Sequence, residues 1–265
     1  EDFSLEEVLR NDGFVYWIPN YVIKSPRECK SIVINPKDLK FRVLLIHKDK
    51  EDLRGTNVLK YIEWGEEKPR EFHKRPTCAS RKRWWDLGKR KAGTFLWEMI
   101  HFERLKAPWN KNKVFADHNL FEILEKNRNF GLILSAQLNC TLFGIIRELW
   151  GRVNLGQGSL KTEGIDIEKF PILDPMKIPA ATVKKIERVF RNFAQRNATF
   201  SVFEEIGANS PKEVSLDKVK PDRRELDEIV MGEILGLTEE EQLEVYRAVV
   251  DLVRSRLEKA RSVER

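Results

Sequence analysis

The sequence has few cysteines, and their spacing excludes two common roles for this residue. Cys29, Cys78 and Cys140 lie 49 and 62 residues apart in a chain of 265 residues. Disulfide frameworks use even numbers of cysteines, and zinc sites use Cys-x-x-Cys pairs, so neither is predicted. A reducing, cytoplasmic compartment fits this cysteine usage best.

Long apolar runs are also missing. None approaches the ~20 residues that a membrane-spanning helix needs, so no transmembrane segment is predicted. The chain starts at Glu1 without a secretory leader or an initiator methionine, which predicts a piece of a longer polypeptide. With 41% hydrophobic and 10% aromatic residues the chain can bury a core, and its length suggests one large domain or two smaller ones. Abundant Lys, Arg and Glu are typical of thermophiles.

Nucleotide-binding and metal-binding motifs are lacking as well. The stretch GQGSLKT at residues 156–162 is not a P-loop, because Leu160 stands where the P-loop has glycine. The histidines show no i, i+4 pairing and no cysteine partners at ligand spacing, so no metal site is predicted. They are His47, His73, His101 and His118.

Catalytic motifs are equally absent. The triplet Glu66-Glu67-Lys68 matches a nuclease pattern, but such triplets occur by chance where 34% of residues are charged. An adenine methyltransferase needs an Asn-Pro-Pro-Tyr type loop for the flipped base and a glycine-rich cofactor turn, and neither is found. The chain itself is therefore predicted to lack catalytic residues.

One segment holds the whole positive excess. Net charge is +6, and residues 68–113 contain 14 basic and 4 acidic side chains, whereas the segments on either side are neutral or slightly acidic. Four of the seven tryptophans, at positions 84, 85, 97 and 109, lie in the same segment. Cations interleaved with aromatic rings suit a polyanion with flat bases. The alternative is a solvated basic surface whose tryptophans lie in the core.

Local patterns predict a mixed α/β body in the first two thirds of the chain. Strands are predicted at residues 14–18, 31–34, 41–46, 94–102 and 114–123, the last two joined by a hairpin turn at 110–112. A short helix is predicted to begin at Thr56 with Gly65 at its C-cap. One long apolar helix is predicted over residues 130–150, closed by Gly151.

After Pro179 the pattern becomes helical. Apolar residues at helical spacing predict helices near residues 183–193 and 226–234, and a capping box at Thr238–Glu241 predicts the start of a third. Residues 209–221 are predicted to be a linker or irregular excursion. The fold is therefore predicted as a mixed α/β domain over residues 1–178, followed by a helical C-terminal domain over residues 179–265.

Six motifs in a fixed order carry a family resemblance. They are YIEWGE at 61–66, RKRWWDL at 81–87, DHNLF at 117–121, LNCTLF at 138–143, GQGSLK at 156–161 and FPIL at 170–173. The series resembles the target-recognition region of adenine-specific DNA methyltransferases of restriction–modification systems, the TaqI-like group. The segments DRRELD at 222–227 and YRAVV at 246–250 are similar to the end of such enzymes.

The resemblance implies that catalysis and DNA recognition belong to different domains. In that family an upstream domain of the same polypeptide binds S-adenosylmethionine and carries the catalytic loop, while the downstream region reads duplex DNA. The chain is then expected to hold no cofactor, to bind double-stranded DNA, and to belong to a methyltransferase or a fused restriction–methylation enzyme.

Fifteen residues are predicted to bind DNA. The basic ones are predicted to contact phosphates or guanine. Trp84 or Trp85 is predicted to stack beside the flipped nucleotide, with at least one of the two rings in the core. The loop residues are predicted to contact the DNA backbone, whereas Asp117, His118 and Asn119 are interpreted as structural residues within a strand. The full set is Lys74, Arg75, Arg81, Lys82, Arg83, Trp84, Trp85, Lys89, Arg90, Lys91, Lys111, Lys113, Ser159, Lys161 and Thr162.

Three other functions stay open from the sequence. The basic and aromatic segment suits RNA as well as DNA, so an RNA-binding module of an RNA-modifying enzyme is one alternative. A protein-interaction subunit, docking through the C-terminal helices, is another. A metal-dependent nuclease is the third.

Overall fold

The computed structural model describes residues 20–126, 130–153 and 157–263. The chain divides into two compact units: the first comprises Glu1–Tyr21 and Arg42–Lys91, and the second Val22–Phe41 and Ala92–Arg265. The strand predicted at residues 14–18 lies outside the described residues. The predicted domain boundary after residue 178 falls inside the second unit and stays a prediction.

Short strands and longer helices make up the described residues. The strands are β1 (Tyr21–Ile23), β2 (Phe41–Arg42), β3 (Phe95–Glu98), β4 (Ile100–His101), β5 (Phe115–Ala116), β6 (Leu120–Ile123) and β7 (Leu160–Lys161). The helices are α1 (Asn57–Glu66), α2 (Pro76–Ala79), α3 (Gly131–Leu138), α4 (Thr141–Trp150), α5 (Gly164–Glu168), α6 (Ala180–Phe193), α7 (Val202–Ile206), α8 (Pro221–Asp227) and α9 (Glu239–Val263).

Helix α1 begins where the sequence predicted it. The Thr56 hydroxyl accepts a hydrogen bond from the Leu59 amide at 3.2 Å, which satisfies one of the first N–H groups of the helix. Val58 and Ile62 face inward and belong to the buried core of the first unit. Gly65 does not cap α1 as predicted. It lies inside the helix, where the ring of Trp84 packs so closely that a Cβ at Gly65 would lie 2.7 Å from it.

The strands of the N-terminal region are shorter than predicted. Only β2 forms within residues 41–46, and both of its residues are exposed, whereas Ile46 alone of that stretch is buried. Within residues 31–34 the structure has an isolated bridge from Val33 to Trp109 instead of a strand. Alternating hydrophobic residues did not distinguish a paired strand from an extended segment that packs on its own.

Three small sheets form the β part of the second unit. β1 pairs in parallel with β5, with Val22 opposite Phe115, while β3 is antiparallel to β6 and β4 is antiparallel to β7. The strand predicted at residues 94–102 forms as two strands, β3 and β4, which belong to different sheets. The strand predicted at residues 114–123 is instead divided into β5 and β6.

The predicted turn at residues 110–112 is confirmed, but the hairpin that it was expected to join is not. The Asn110 side chain accepts a hydrogen bond from the Val114 amide at 2.9 Å and donates to the Val114 carbonyl at 2.7 Å. Trp109 bridges Phe95 before the turn, whereas the residues after it join β1 through β5. The two arms of the turn therefore belong to different sheets.

The predicted long helix is two helices that meet at a sharp bend. α3 and α4 are inclined by 66°. At the break, the side chain of the buried Asn139 accepts a hydrogen bond from the Ala107 amide and donates to the Ala107 carbonyl, both at 2.9 Å. Asp227 accepts from the Thr141 amide at 2.8 Å. Partners distant in sequence satisfy the polar groups that the break exposes.

The C-terminal helices follow the predicted apolar stripes. Helix α6 buries Ile186, Val189, Phe190 and Phe193. Helix α9 buries its predicted inner face, which includes Tyr246, Val250, Val253 and Leu257. The capping box is confirmed, because the Thr238 hydroxyl accepts from the Glu241 amide at 3.3 Å and the Glu241 carboxylate accepts from the Thr238 amide at 2.8 Å. The fold is thus a mixed α/β body with a helical C-terminal part, as predicted.

A buried ion pair joins α8 to α7. Arg223 and Glu205, both fully buried, lie 2.7 Å apart. Arg223 also donates to the Asn139 carbonyl at 3.0 Å. The excursion at residues 209–221 is not a free linker: it contains two 3-10 turns and buries Val214 and Val219 in the core.

Within the described residues no single helix has the length and apolar composition to cross a membrane. The bent pair of α3 and α4 has them only when the two helices are taken together.

Candidate nucleic-acid interface

The fifteen residues predicted to bind DNA divide between the two units. Ten of them, at positions 74–91, belong to the first unit, and the five at positions 111, 113, 159, 161 and 162 belong to the second. The two groups differ in how many of their cations form ion pairs with carboxylates and in how far their side chains are buried.

In the first unit, residues 80–91 form a loop that two tryptophans anchor. The Trp84 indole lies on Gly65 and donates a hydrogen bond to the Glu66 carboxylate at 2.9 Å. Trp85 meets Trp84 edge-on, with 6.2 Å between ring centroids, and its indole N–H points at the Lys48 carbonyl at 3.4 Å. Both rings pack against the core of the unit. Anchoring the loop is therefore their observed role, and stacking on DNA stays a prediction.

Asp86 closes the loop between its two basic ends. Its carboxylate accepts from the Gly88 amide at 2.8 Å and contacts His47 Nδ1 at 2.8 Å, and it forms an ion pair with Arg83 at 2.9 Å. Desolvation opposes the charge on Asp86, but the bonds from Gly88 and His47 and the charge of Arg83 outweigh it and lower the pKa of Asp86. Arg83 also reaches Asp49 at 3.4 Å, so its charge serves the loop itself.

Five other cations on the same loop, unlike Arg83, form no ion pair with a carboxylate of the described residues. All are exposed, and within the described part of the chain none of them has a carboxylate partner. Two precede the tryptophan anchor and three follow the turn at Gly88, so the anchor presents positive charge on both sides. They are Arg81, Lys82, Lys89, Arg90 and Lys91.

Lys74 and Arg75 lie on the turn before the loop. Lys74 forms an ion pair with Glu71, which neutralises it. Arg75 is exposed and stacks on the ring of Phe72, with 4.3 Å from the guanidinium carbon to the ring centroid. Phe72 was not among the predicted site residues, although its position three residues before Arg75 is a spacing at which a turn brings side chains together.

Two predicted lysines of the second unit lie on the turn after Trp109. Lys111 is exposed, with its ammonium 5.9 Å from the centroid of the Trp109 ring. Lys113 has a backbone φ of 53° and donates to the Thr94 hydroxyl at 3.0 Å. Trp109 itself packs against Phe190 at 6.0 Å and is a core residue.

The glycine-rich loop is held against α9. Residues 154–156 lie outside the described residues. Gly158, with φ of 70°, is buried, and a Cβ there would lie 3.0 Å from Leu257. Its carbonyl accepts a hydrogen bond from Arg256, which also forms an ion pair with Glu148 at 2.9 Å. Ser159 is half-buried beside it. Glycine is required here for close packing, which is a structural reason for the motif.

The next two residues do not present free groups at the surface. Lys161 forms an ion pair with Glu163 at 2.7 Å. Thr162 is only 3% exposed and its amide donates to the Met99 carbonyl at 2.9 Å. The prediction that Thr162 contacts the DNA backbone is therefore not supported by its position, because burial removes its hydroxyl from solvent.

The segment at residues 117–119 corrects another interpretation. Asp117, His118 and Asn119 form an exposed turn between β5 and β6 instead of lying within a strand. The His118 side chain is 84% exposed, and its Nδ1 and backbone amide both contact Asp117 Oδ1 at 2.6 Å. Desolvation opposes the charge of Asp117, but the hydrogen bonds from His118 outweigh this effect and lower the pKa of Asp117.

Among the residues that the structure describes, no group of three His, Cys, Asp or Glu side chains is arranged to hold a metal ion. Glu66, from the triplet that matched a nuclease pattern, is bound to Lys50 and to the Trp84 indole. It supports the loop of the first unit.

Comparison with known protein families identifies the family to which the chain belongs. The family model described as Type II methyltransferase M.Eco57I, C-terminal domain, matches residues 24–206, which is more than half of the chain and includes all fifteen predicted residues. No curated protein and no solved structure gives a significant match. The predicted relationship to the C-terminal region of a restriction–modification methyltransferase is confirmed. The chain belongs to the family of the M.Eco57I methyltransferase C-terminal domain.

Proposed function

We propose that the chain binds duplex DNA sequence-specifically, as the target-recognition part of an adenine-specific, TaqI-like DNA methyltransferase or a fused restriction–methylation enzyme. One observation carries the proposal: the loop at residues 80–91 is anchored on the core of the first unit and presents five exposed cations that have no carboxylate partner among the described residues. Such cations are available to pair with an external polyanion.

Duplex DNA suits this loop for two physical reasons. Phosphates lie at regular short intervals along the helix, so several cations on one loop can each replace a condensed counterion. The anchored turn between Arg83 and Gly88 keeps the two basic groups apart without consuming their charge. An anchored loop also loses less conformational entropy on binding than a free one.

The catalytic part of the enzyme is proposed to lie upstream on the same polypeptide. It would hold S-adenosylmethionine and act on host DNA in the cytoplasm. The sequence of this chain contains neither the Asn-Pro-Pro-Tyr type loop nor the glycine-rich turn that these tasks need, so its residues do not fit the cofactor. The chain is therefore assigned to DNA recognition, with no methylation of its own.

Fluorescence anisotropy with random-sequence duplex DNA and with single-stranded RNA of matched length tests the proposal. Duplex DNA is expected to bind more tightly, and its affinity to fall with salt with a log–log slope on the order of −4, because roughly five phosphates are neutralised. Tighter binding of RNA, or no binding of either polymer, would contradict the proposal.

A variant of the loop shows whether the binding is local. Replacing Lys89, Arg90 and Lys91 with alanine is expected to reduce the magnitude of the salt slope by about 3, at about 0.9 per phosphate contact. The matched control replaces three exposed lysines of the second unit, Lys184, Lys212 and Lys259, and changes net charge equally. Equal effects of both triple variants would mean that net charge, and not this loop, drives the binding.

A further inference from the structure

Arg75 differs from its neighbours Arg70 and Lys74 in being stacked on an aromatic ring without a carboxylate partner among the described residues. Arg42 of the same unit also lies over a ring, that of Tyr21 at 4.7 Å, but it donates to the Tyr21 hydroxyl at 3.1 Å and so uses part of its donor set. The guanidinium of Arg75 stacks 4.3 Å from the centroid of the Phe72 ring, and it forms no ion pair among the residues that the structure describes. The N–H groups of a guanidinium lie in its plane, and packing on an aromatic ring does not use them up as ion-pair donors. Arg75 is exposed, so its planar set of donors stays available to the solvent.

Neighbouring cations lack one of these two properties. Arg70 stacks on Trp64 at the same distance of 4.3 Å, but it also pairs with Glu67 at 3.2 Å and donates to the Trp64 carbonyl at 2.6 Å. Lys74 pairs with Glu71. The exposed cations at positions 81, 82 and 89–91 are not stacked on any ring of the described residues.

The backbone of Arg75 is held as firmly as its side chain. Its amide donates to the Phe72 carbonyl at 3.1 Å, and its carbonyl accepts from the Cys78 and Ala79 amides, both at 2.8 Å. Pro76 follows at the first position of α2 and restricts the conformation of Arg75 further.

The ring beneath Arg75 is also fixed in place. Phe72 lies edge-on to Trp64 and to Trp84, with 6.0 Å between centroids in each case. Trp84 is in turn bonded to Glu66 at 2.9 Å. A chain of packed rings therefore connects the guanidinium of Arg75 to the core of the first unit.

We infer that Arg75 determines sequence specificity by reading a guanine in the major groove, and that Phe72 is its positioning residue. Guanine presents N7 and O6 as two acceptors side by side, which matches the planar donors of an arginine. The five exposed cations of the loop at residues 80–91, which are not stacked, bind phosphates without selecting a base. The inference rests on the proposed function, since it requires that the chain binds duplex DNA.

The test is a selection followed by atom replacement. The wild-type chain selects its preferred duplexes from a random pool, and each guanine of the selected site is then replaced in turn by 7-deazaguanine, which lacks the N7 acceptor. At one position the wild type is expected to lose affinity roughly 10-fold. Arg75→Lys keeps the charge without the planar fork, so its affinity for the two duplexes should be equal and its salt slope that of the wild type.

Two further variants separate reading from folding. Arg81→Lys makes the same replacement at an exposed arginine without a ring, and it should keep the 10-fold sensitivity. Phe72→Leu should reduce that sensitivity while the salt slope stays unchanged, and thermal unfolding shows whether the variant is folded. Should Arg75→Lys retain the sensitivity, or the wild type show none, the inference is overturned while the proposed function stands. A wild type that binds no duplex overturns both.

Discussion

The loop at residues 80–91 and the surroundings of the glycine-rich loop before β7 both contain lysine and arginine, yet the molecule uses these charges in opposite ways. At the first loop, Asp86 is bound to Arg83 and His47, and Glu66 is bound to Trp84, which leaves other cations unpaired. Around the second loop, the cations are paired with carboxylates or buried against α9. A count of basic residues therefore does not identify a polyanion-binding surface. The proposal for the loop at residues 80–91 rests instead on which basic residues lack a carboxylate partner among the described residues.

The ion pairs of the molecule also differ in burial, and burial sets how much each pair contributes to stability. Arg256 and Glu148 are 5% and 7% exposed, so their ion pair holds the glycine-rich loop, α4 and α9 together. For buried pairs of this kind, removing one partner leaves an uncompensated charge in the interior. Exposed pairs contribute little by comparison. The expected loss of stability is therefore larger for a broken buried pair than for a broken exposed pair.

The largest expected effect is on the stability of the second unit. Arg223→Met removes the guanidinium from the buried carboxylate of Glu205 and from the Asn139 carbonyl. Arg196 at 2.6 Å and Lys220 at 3.4 Å still pair with Glu205, so the free energy of unfolding should fall by about 3 kcal/mol, the lower end of the range for a broken buried pair. Urea unfolding of the wild type and the variant measures this change in the free energy of unfolding. Arg254→Met, at an exposed pair with Glu258, is the control and should leave the unfolding midpoint unchanged. Equal losses in the two variants would show that burial does not set the strength of these pairs.

The next effect concerns the anchor of the basic loop. Trp84→Ala removes the ring from Gly65 and leaves Glu66 without its indole donor, so the first unit should lose about 2–3 kcal/mol and the chain should bind DNA more weakly. Hydrogen–deuterium exchange should rise in residues 42–91 alone. Trp150→Ala, at a partly exposed ring of the second unit, is the control. Unchanged exchange in residues 42–91 would show that Trp84 is not the anchor.

A smaller effect depends on pH and on a buried histidine of the second unit. Burial, reinforced by the positive charges of Arg147 and Arg256, lowers the pKa of His101 well below its usual 6.5. The unfolded chain takes up a proton as pH falls below about 6.5, whereas the folded chain does not, so this contribution reduces stability on acidification.

Comparison of the wild type with His101→Gln isolates this contribution. The wild type should lose stability relative to the variant as pH is lowered from 7 to 5, measured by urea unfolding at each pH. His101→Leu, which is also uncharged, should behave like the glutamine variant. Parallel curves for all three proteins would mean that His101 takes up its proton equally in the folded and unfolded states.

The smallest expected effect is at Lys161. Because Glu163 neutralises it at 2.7 Å, Lys161→Ala should change the affinity for duplex DNA less than about twofold, while Lys89→Ala should lower it several-fold. Anisotropy titrations at one salt concentration compare the two variants. A larger loss of affinity in Lys161→Ala than in Lys89→Ala would mean that the glycine-rich loop, and not the loop at residues 80–91, binds the DNA.

Features set by residues close in sequence were predicted correctly. Thr56 and Thr238 each bond to groups within three residues, so the starts of α1 and α9 were readable. The apolar stripes of α6 and α9 were readable for the same reason, because helical periodicity is a local property. The basic segment was visible as composition. The interior position of Gly65 was not, since it depends on Trp84, nineteen residues away.

The α/β and helical composition, the helix caps and the concentration of positive charge at residues 68–113 could be predicted from the amino acids alone. The end of α3, which the bonds of Asn139 to Ala107 define, and the identity of the unpaired cations depend on the folded chain. The tertiary structure also showed that Phe72 supports Arg75 and that Lys161 is neutralised. The physical reason is that caps and periodicity depend on neighbours along the chain, whereas ion pairs, ring contacts and buried hydrogen bonds depend on which distant residues the fold brings together.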